Sequence, residues 1–149
     1  MRKAANENDF GPTSEKRSRP FQVSPQVSVL LQSFGKVKKV ESGRVLFRKG
    51  DAPMGTFLVL SGRVALSAGD DPVRITRIAE QGSLLGLPAT IRQRPYSLTA
   101  EAVTDCEVCG ISSERLRKAL LEYPAIGLAI VEILAEEVSV LRTLAVYKV

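Results

Sequence analysis

Gly86-Leu-Pro-Ala-Thr-Ile-Arg-Gln-Arg-Pro-Tyr96-Ser-Leu-Thr99 is the stretch whose residue types and spacing come closest to chemistry. Its small, turn-forming residues suit a loop that wraps an anion with backbone N–H groups. A loop that holds a phosphorylated ribose also needs a cation against the phosphate and an acceptor for the sugar hydroxyl. Within the stretch the cations are Arg92 and Arg94, and no carboxylate occurs.

Catalytic readings find little support. The chain has no histidine, which removes histidine-based general catalysis, histidine haem ligation and the usual zinc sets. Paired carboxylates and a nucleophile beside a base are also missing from the loop, so no enzymatic activity is expected. Cys106 and Cys109 have Cys-x-x-Cys spacing, but Cys106–Ile111 reads as a strand. Residues three apart on a strand face opposite ways, so the thiols are expected to serve as small apolar filler. No metal site is expected.

The net charge of +5 is uneven: Lys36, Lys38, Lys39, Arg44, Arg48 and Lys49 are opposed only by Glu41. A nucleic-acid surface is one reading. A solvated edge strand bearing cations is the favoured one. At 149 residues, with 44% hydrophobic and 25% charged residues, the chain suits one soluble globular domain. Neither an apolar run of membrane-spanning length nor a secretory leader is present, so no membrane partner and a cytoplasmic location are expected.

The elements that must position the loop follow from periodicity. Residues 1–19 are polar and aperiodic and read as a disordered tail. Ser24-Pro25 caps a short helix with Val27, Leu30, Leu31 and Phe34 on one face, stopping at Gly35. From Val37 the period becomes two, giving about eight short strands with turns every 8–12 residues. Val73–Ile78 reads as a strand alternating in and out. The pattern predicts a mainly β domain over 20–123, an antiparallel jelly roll with flanking helices. Ser112 opens a helix with Leu116, Ala119, Leu120 and Tyr123 on its apolar side, and Pro124 separates it from a long helix over 124–149.

That last helix carries two apolar stripes. Val131, Leu134, Val138, Leu141 and Ala145 recur at alternating threes and fours, as in a coiled-coil seam. Ile126, Ile130, Ile133, Val140 and Leu144 lie beside them. One stripe suffices to cover a barrel, so the seam is expected to pair with a second copy in a homodimer.

Taken in order, Gly43–Asp51, Phe57–Val64, Gly82–Gly86, Pro95 and Ala102–Val108 resemble the cyclic nucleotide-binding domain family, in particular the sensor half of Crp-Fnr type regulators. The resemblance spans roughly residues 24–146. It implies a jelly roll in which the loop is the phosphate-binding cassette, with pocket positions Gly86, Leu87, Pro88, Ala89, Arg94, Pro95, Tyr96, Ser97 and Thr99. In the family a glutamate usually follows the glycine and receives the ribose hydroxyl, and here it is Leu87. An arginine usually follows the proline and pairs with the cyclic phosphate, and here it is Tyr96. Pro88 replaces a common leucine.

These departures have a size. A phosphate monoanion buried without its cation costs several kcal/mol, and the missing ribose acceptor adds about 1–3 kcal/mol. At about 1.4 kcal/mol per decade, a micromolar site becomes millimolar or weaker. The favoured reading is a stand-alone regulatory domain with a degenerate cassette, without a cofactor, that acts on an unidentified protein partner. A small ligand of another class stays open. The alternative is a true cyclic-nucleotide receptor of the Crp-Fnr type, with Arg92 or Arg94 taking over the phosphate. The DNA-binding relatives carry a helix-turn-helix module after the long helix. The chain stops at Val149, so sequence-specific DNA binding is not expected.

Overall fold

The computed structural model describes residues 20–69 and 75–148. The polar segment 1–19 and the turn at 70–72 lie outside the described residues.

Helix α1 spans Pro25–Gln32, opened by the extended Ser24, whose hydroxyl accepts from the Val27 N–H at 3.2 Å. Pro25 sits in the first turn, where its missing donor costs nothing. Val27 and Leu31 form the buried face. Eight strands follow: β1 Lys36–Val40, β2 Val45–Phe47, β3 Thr56–Ser61, β4 Val64–Ser67, β5 Ile75–Ala79, β6 Leu84–Leu85, β7 Thr99–Ala102 and β8 Cys106–Ile111. Helix α2 (Leu87–Arg92) separates β6 from β7, and α3 (Ser113–Glu122) and α4 (Pro124–Lys148) close the chain.

The strands form two antiparallel four-stranded sheets, ordered β1-β8-β3-β6 and β2-β7-β4-β5. This is a jelly roll with flanking helices. Strand β3, central in the first sheet, is buried on both faces, which explains why it reads as the apolar run Phe57-Leu-Val-Leu60 rather than an alternation. Phe57 and Val59 of β3 and Cys106 and Val108 of β8 pack into the sandwich. Leu58, Cys109 and Ile111 face the other way, against Val27, Leu31, Leu116, Ile126, Ile130 and Ile133 of the helices. The two cysteines are therefore free and belong to different clusters.

Ser112 caps α3 through the Arg115 N–H at 3.2 Å. Along α4, Ile126, Ile130 and Ile133 are buried on the barrel, while Leu128, Val131 and Val138 are exposed. The proposed seam is divided: Leu134 packs partly on the core, and Val131 and Val138 face outward. The side chains of Leu141 and Ala145 lie outside the described residues.

Two charged segments differ in placement. β1 is an edge strand with Lys36, Lys38 and Lys39 exposed, and Lys38 lies over the Phe57 ring at 5.3 Å. Of the strand read as Val73–Ile78, positions 73 and 74 lie outside the described residues, and β5 spans Ile75–Ala79. Arg77 pairs in regular register with the buried Leu66 of β4, and its guanidinium ion-pairs with Glu137 of α4. No helix among the described residues is long and apolar enough to cross a membrane.

Candidate functional site

The cassette is built by β6, α2 and the connection into β7. Gly86 takes φ +84, and a Cβ there would stand 2.9 Å from Cε1 of Tyr96. Glycine is thus needed for both the left-handed turn and the close approach of the ring. Its carbonyl starts α2 by accepting from the Thr90 N–H at 3.1 Å and the Thr90 hydroxyl at 2.8 Å. Helix α2 ends at Gln93, itself left-handed at φ 56. The Gln93 amide donates to the Thr90 carbonyl at 2.8 Å and to the Ser113 hydroxyl at 2.7 Å, tying α2 to the start of α3.

Tyr96 fills the centre of the cassette. It is 2% exposed and stacks on Phe47 with ring centroids 4.0 Å apart and planes 16° from parallel. Its hydroxyl donates to the Gly55 carbonyl at 2.7 Å and accepts from the N–H groups of Met54 at 2.9 Å and Gly55 at 3.1 Å. The backbone is held too: the Tyr96 N–H donates to Asp51 O at 3.0 Å, and its carbonyl accepts from Gly50 N–H at 2.8 Å. A buried phenol with one donor and two acceptor contacts is fully satisfied. Tyr96 has no unused polar capacity to offer a ligand.

The other cassette positions divide between core and surface. Leu87 is fully buried and joins the cluster beneath the helices, and Ala89 joins the sandwich cluster. Pro88, Arg92, Arg94, Pro95 and Ser97 are exposed. Thr99 is half-buried, and its hydroxyl accepts from the Lys49 N–H at 2.9 Å. The structure thus brings Gly86, Ala89, Tyr96 and Ser97 around one cavity, together with Pro88, and leaves the two arginines on the surface.

That cavity measures about 40 Å³ and is walled by Phe21, Phe47, Leu66, Leu85 and Leu98 besides Gly86, Pro88, Ala89, Tyr96 and Ser97. Pockets for small ligands run to roughly 300–1,000 Å³. The remaining space suits water or a methyl-sized group, not a nucleotide. A wider open depression of about 470 Å³ at the β3–β4 turn, lined by Arg63, Glu80 and Thr104 among others, shares no residue with the cassette.

Sequence reasoning missed two participants. Phe21, from the segment before α1, packs against both core clusters and lines the cavity. Arg77 lies over the Phe21 ring at 5.9 Å. Phe21 gave no signal because it precedes the first periodic element. Arg77 gave no signal because its partner Glu137 lies sixty positions away on α4.

With that geometry in place, the comparisons agree on the family. Residues 37–123 match the cyclic nucleotide-binding domain family, and the chain belongs to it. It is similar to patatin-like phospholipase domain-containing protein 7 of Mus musculus, 28% identical over 102 residues. The match takes in 67% of this chain and 8% of that protein, so the chain spans a small part of this relative's length. Among solved structures, the Thermus thermophilus catabolite activator protein superposes with a TM-score of 0.72 at 22% identity, over 81% of this chain and 58% of that one. A cyclic nucleotide-binding-like protein from Brucella abortus shares 29% identity with a TM-score of 0.54, over 65% of this chain and 84% of that one.

Proposed function

We propose that this chain is a regulatory domain of the cyclic nucleotide-binding family whose cassette does not hold a cyclic nucleotide, and that it signals through protein contacts made by α4. The observation that carries this reading is the triple hydrogen bond of the Tyr96 hydroxyl to Met54 and Gly55. It supports a cassette already closed by its own side chain. Leu87, buried in the helix-side cluster, adds to it, because an apolar side chain cannot accept a ribose hydroxyl.

Admitting a nucleotide would require Tyr96 to leave its stack on Phe47 and would orphan two buried N–H groups and a carbonyl, at about 1–3 kcal/mol for each unsatisfied group. The anion would then meet neither Arg92 nor Arg94, which are on the surface, and the shielded Arg77 is already paired with Glu137. The receptor reading is disfavoured on both counts. Signalling by contact has its own support in the outward Leu128, Val131 and Val138, which line an uncovered apolar stripe on α4. A second copy meeting that stripe in a symmetric helix pair is the expected assembly. No catalytic role is assigned to the domain.

Thermal unfolding with cAMP, cGMP and cyclic dinucleotides at about a hundred times micromolar affinity tests the reading. A receptor gains about 2.7 kcal/mol at that excess and its midpoint climbs. The midpoint here is expected to stay put. A rise abolished by Arg94→Ala would establish the receptor reading instead.

A further inference from the structure

The residues before α1 form a strap across the cassette. Gln22 bridges Ser83, the Val23 N–H donates to Gly82 O at 2.9 Å, and the Leu84 N–H donates to Phe21 O at 2.9 Å. The Gln22 amide adds donations to Gln81 O at 2.8 Å and Ser83 Oγ at 3.3 Å. This anchoring aims Phe21 into the wall of the cavity that also contains Gly86, Ala89 and Tyr96. Phe21 adopts φ 58, a left-handed conformation that a phenylalanine holds only when its surroundings compel it. The ring packs against both core clusters, and Phe47, Leu66, Leu85 and Leu98 line the same cavity.

Arg77 connects this ring to α4. Its guanidinium lies over the Phe21 ring, 5.9 Å from the centroid, and also pairs with Oε1 of Glu137. Both members of the ion pair are largely shielded, with side-chain exposures of 24% and 16%. Arg77 sits on β5 at the edge of its sheet, opposite Leu66, another wall of the cavity. The seated ring thus forms one flank of the space that holds the guanidinium toward α4. Without the ring that flank opens to water, the guanidinium gains other rotamers, and its hold on Glu137 weakens.

We propose that the space the Phe21 ring fills at the cavity's wall is a seat for a single uncharged aromatic ring, and that its occupancy is coupled through Arg77 and Glu137 to the docking of α4. The inference rests on the reading of the cassette as closed to cyclic nucleotides and supplies a way to switch it. Lifting the strap empties the seat and loosens the stretch of α4 around Glu137, next to the exposed Val138. A small aromatic molecule entering the emptied seat restores the docked helix.

The test is hydrogen exchange on the full chain, read at peptides covering residues 20–23 and 131–139. Phe21→Ala is expected to raise exchange around Glu137 by about threefold or more, a change well below one decade in the opening equilibrium. Benzyl alcohol, which supplies a ring without charge, is expected to return that exchange toward the wild-type rate at millimolar concentration. Arg77→Gln leaves Phe21 seated and is expected to raise the same exchange, with no response to benzyl alcohol. Should Phe21→Ala fail to fold, Phe21→Leu keeps apolar volume without a ring and is expected to raise exchange at 131–139. Unchanged exchange at 131–139 in a folded Phe21 variant overturns the coupling, and so does a rise in Phe21→Ala that benzyl alcohol leaves untouched. A nucleotide-dependent midpoint would instead overturn the closed-cassette reading, so the two failures are distinguishable.

Discussion

Tyr96 and Gly55 close a two-way hydrogen bond: the phenol donates to the Gly55 carbonyl at 2.7 Å and accepts from its N–H at 3.1 Å. The same oxygen takes the Met54 N–H at 2.9 Å. One side chain thus fixes the end of the loop that leads into β3. Tyr96→Phe keeps the stack on Phe47 and removes only the oxygen. We predict a loss of about 1–3 kcal/mol, read as a lower urea midpoint with an unchanged slope. A variant as stable as the wild type would mean that the hydroxyl does not hold the loop.

Much of this arrangement was legible in the sequence. Ser24-Pro25 and Ser112 announced two helix starts through side chains that can cap, and both hydroxyls do so. The turns and period-two runs gave the strand count of the jelly roll. Leu87 and Tyr96 were singled out by their place in the loop, but whether the space beside them was open or filled is a tertiary fact. It depends on Phe47 and Gly55, which approach Tyr96 from strands and turns more than forty positions away. Arg77 was not singled out, because its partner Glu137 lies sixty positions away on another element. The two stripes of α4 were evident, yet Leu134 of the expected seam packs partly on the core, since adjacent stripes differ by one position.

Thr56 offers a test of packing energetics next to Gly55. It is fully buried, and its hydroxyl has no hydrogen-bond partner. Replacing an unsatisfied buried hydroxyl by a methyl of nearly the same volume removes a desolvation cost without opening a cavity. Thr56→Val is therefore expected to stabilise the fold by about 1 kcal/mol, seen as a higher midpoint in thermal or urea unfolding. A destabilised variant would contradict it.

Cys109 gives the fold an alkaline sensitivity. Burial among the helix-side cluster pushes its thiol above the ordinary value. The folded chain then holds this proton more tightly than the unfolded chain does. The stability it contributes is whole below the unfolded thiol value of about 8.5 and declines as pH rises through the higher native value. Urea midpoints measured from neutral to about pH 10 are expected to fall, and Cys109→Ala is expected to flatten that fall whatever its own stability. An equally steep decline in the variant would assign the sensitivity to other groups.

The outward face of α4 is open to direct challenge. Val131 and Val138 are 61% and 50% exposed. A glutamate at Val138 is therefore expected to leave monomer stability within about 0.5 kcal/mol while dispersing a dimer, because it sets like charges against each other across a two-fold axis. Light scattering after size exclusion should report a dimer for the wild type and a monomer for Val138→Glu. A monomeric wild type would remove the helix pair from the account.

The account turns on a cassette closed by Tyr96, and equilibrium dialysis against labelled cAMP and cGMP measures that most directly. With the full chain present at about 100 μM, a family member with a micromolar site retains nearly all of a trace of label. The account predicts equal label on both sides of the membrane for each nucleotide. Retention of either one by the wild-type chain, competed by the same unlabelled nucleotide, would contradict it.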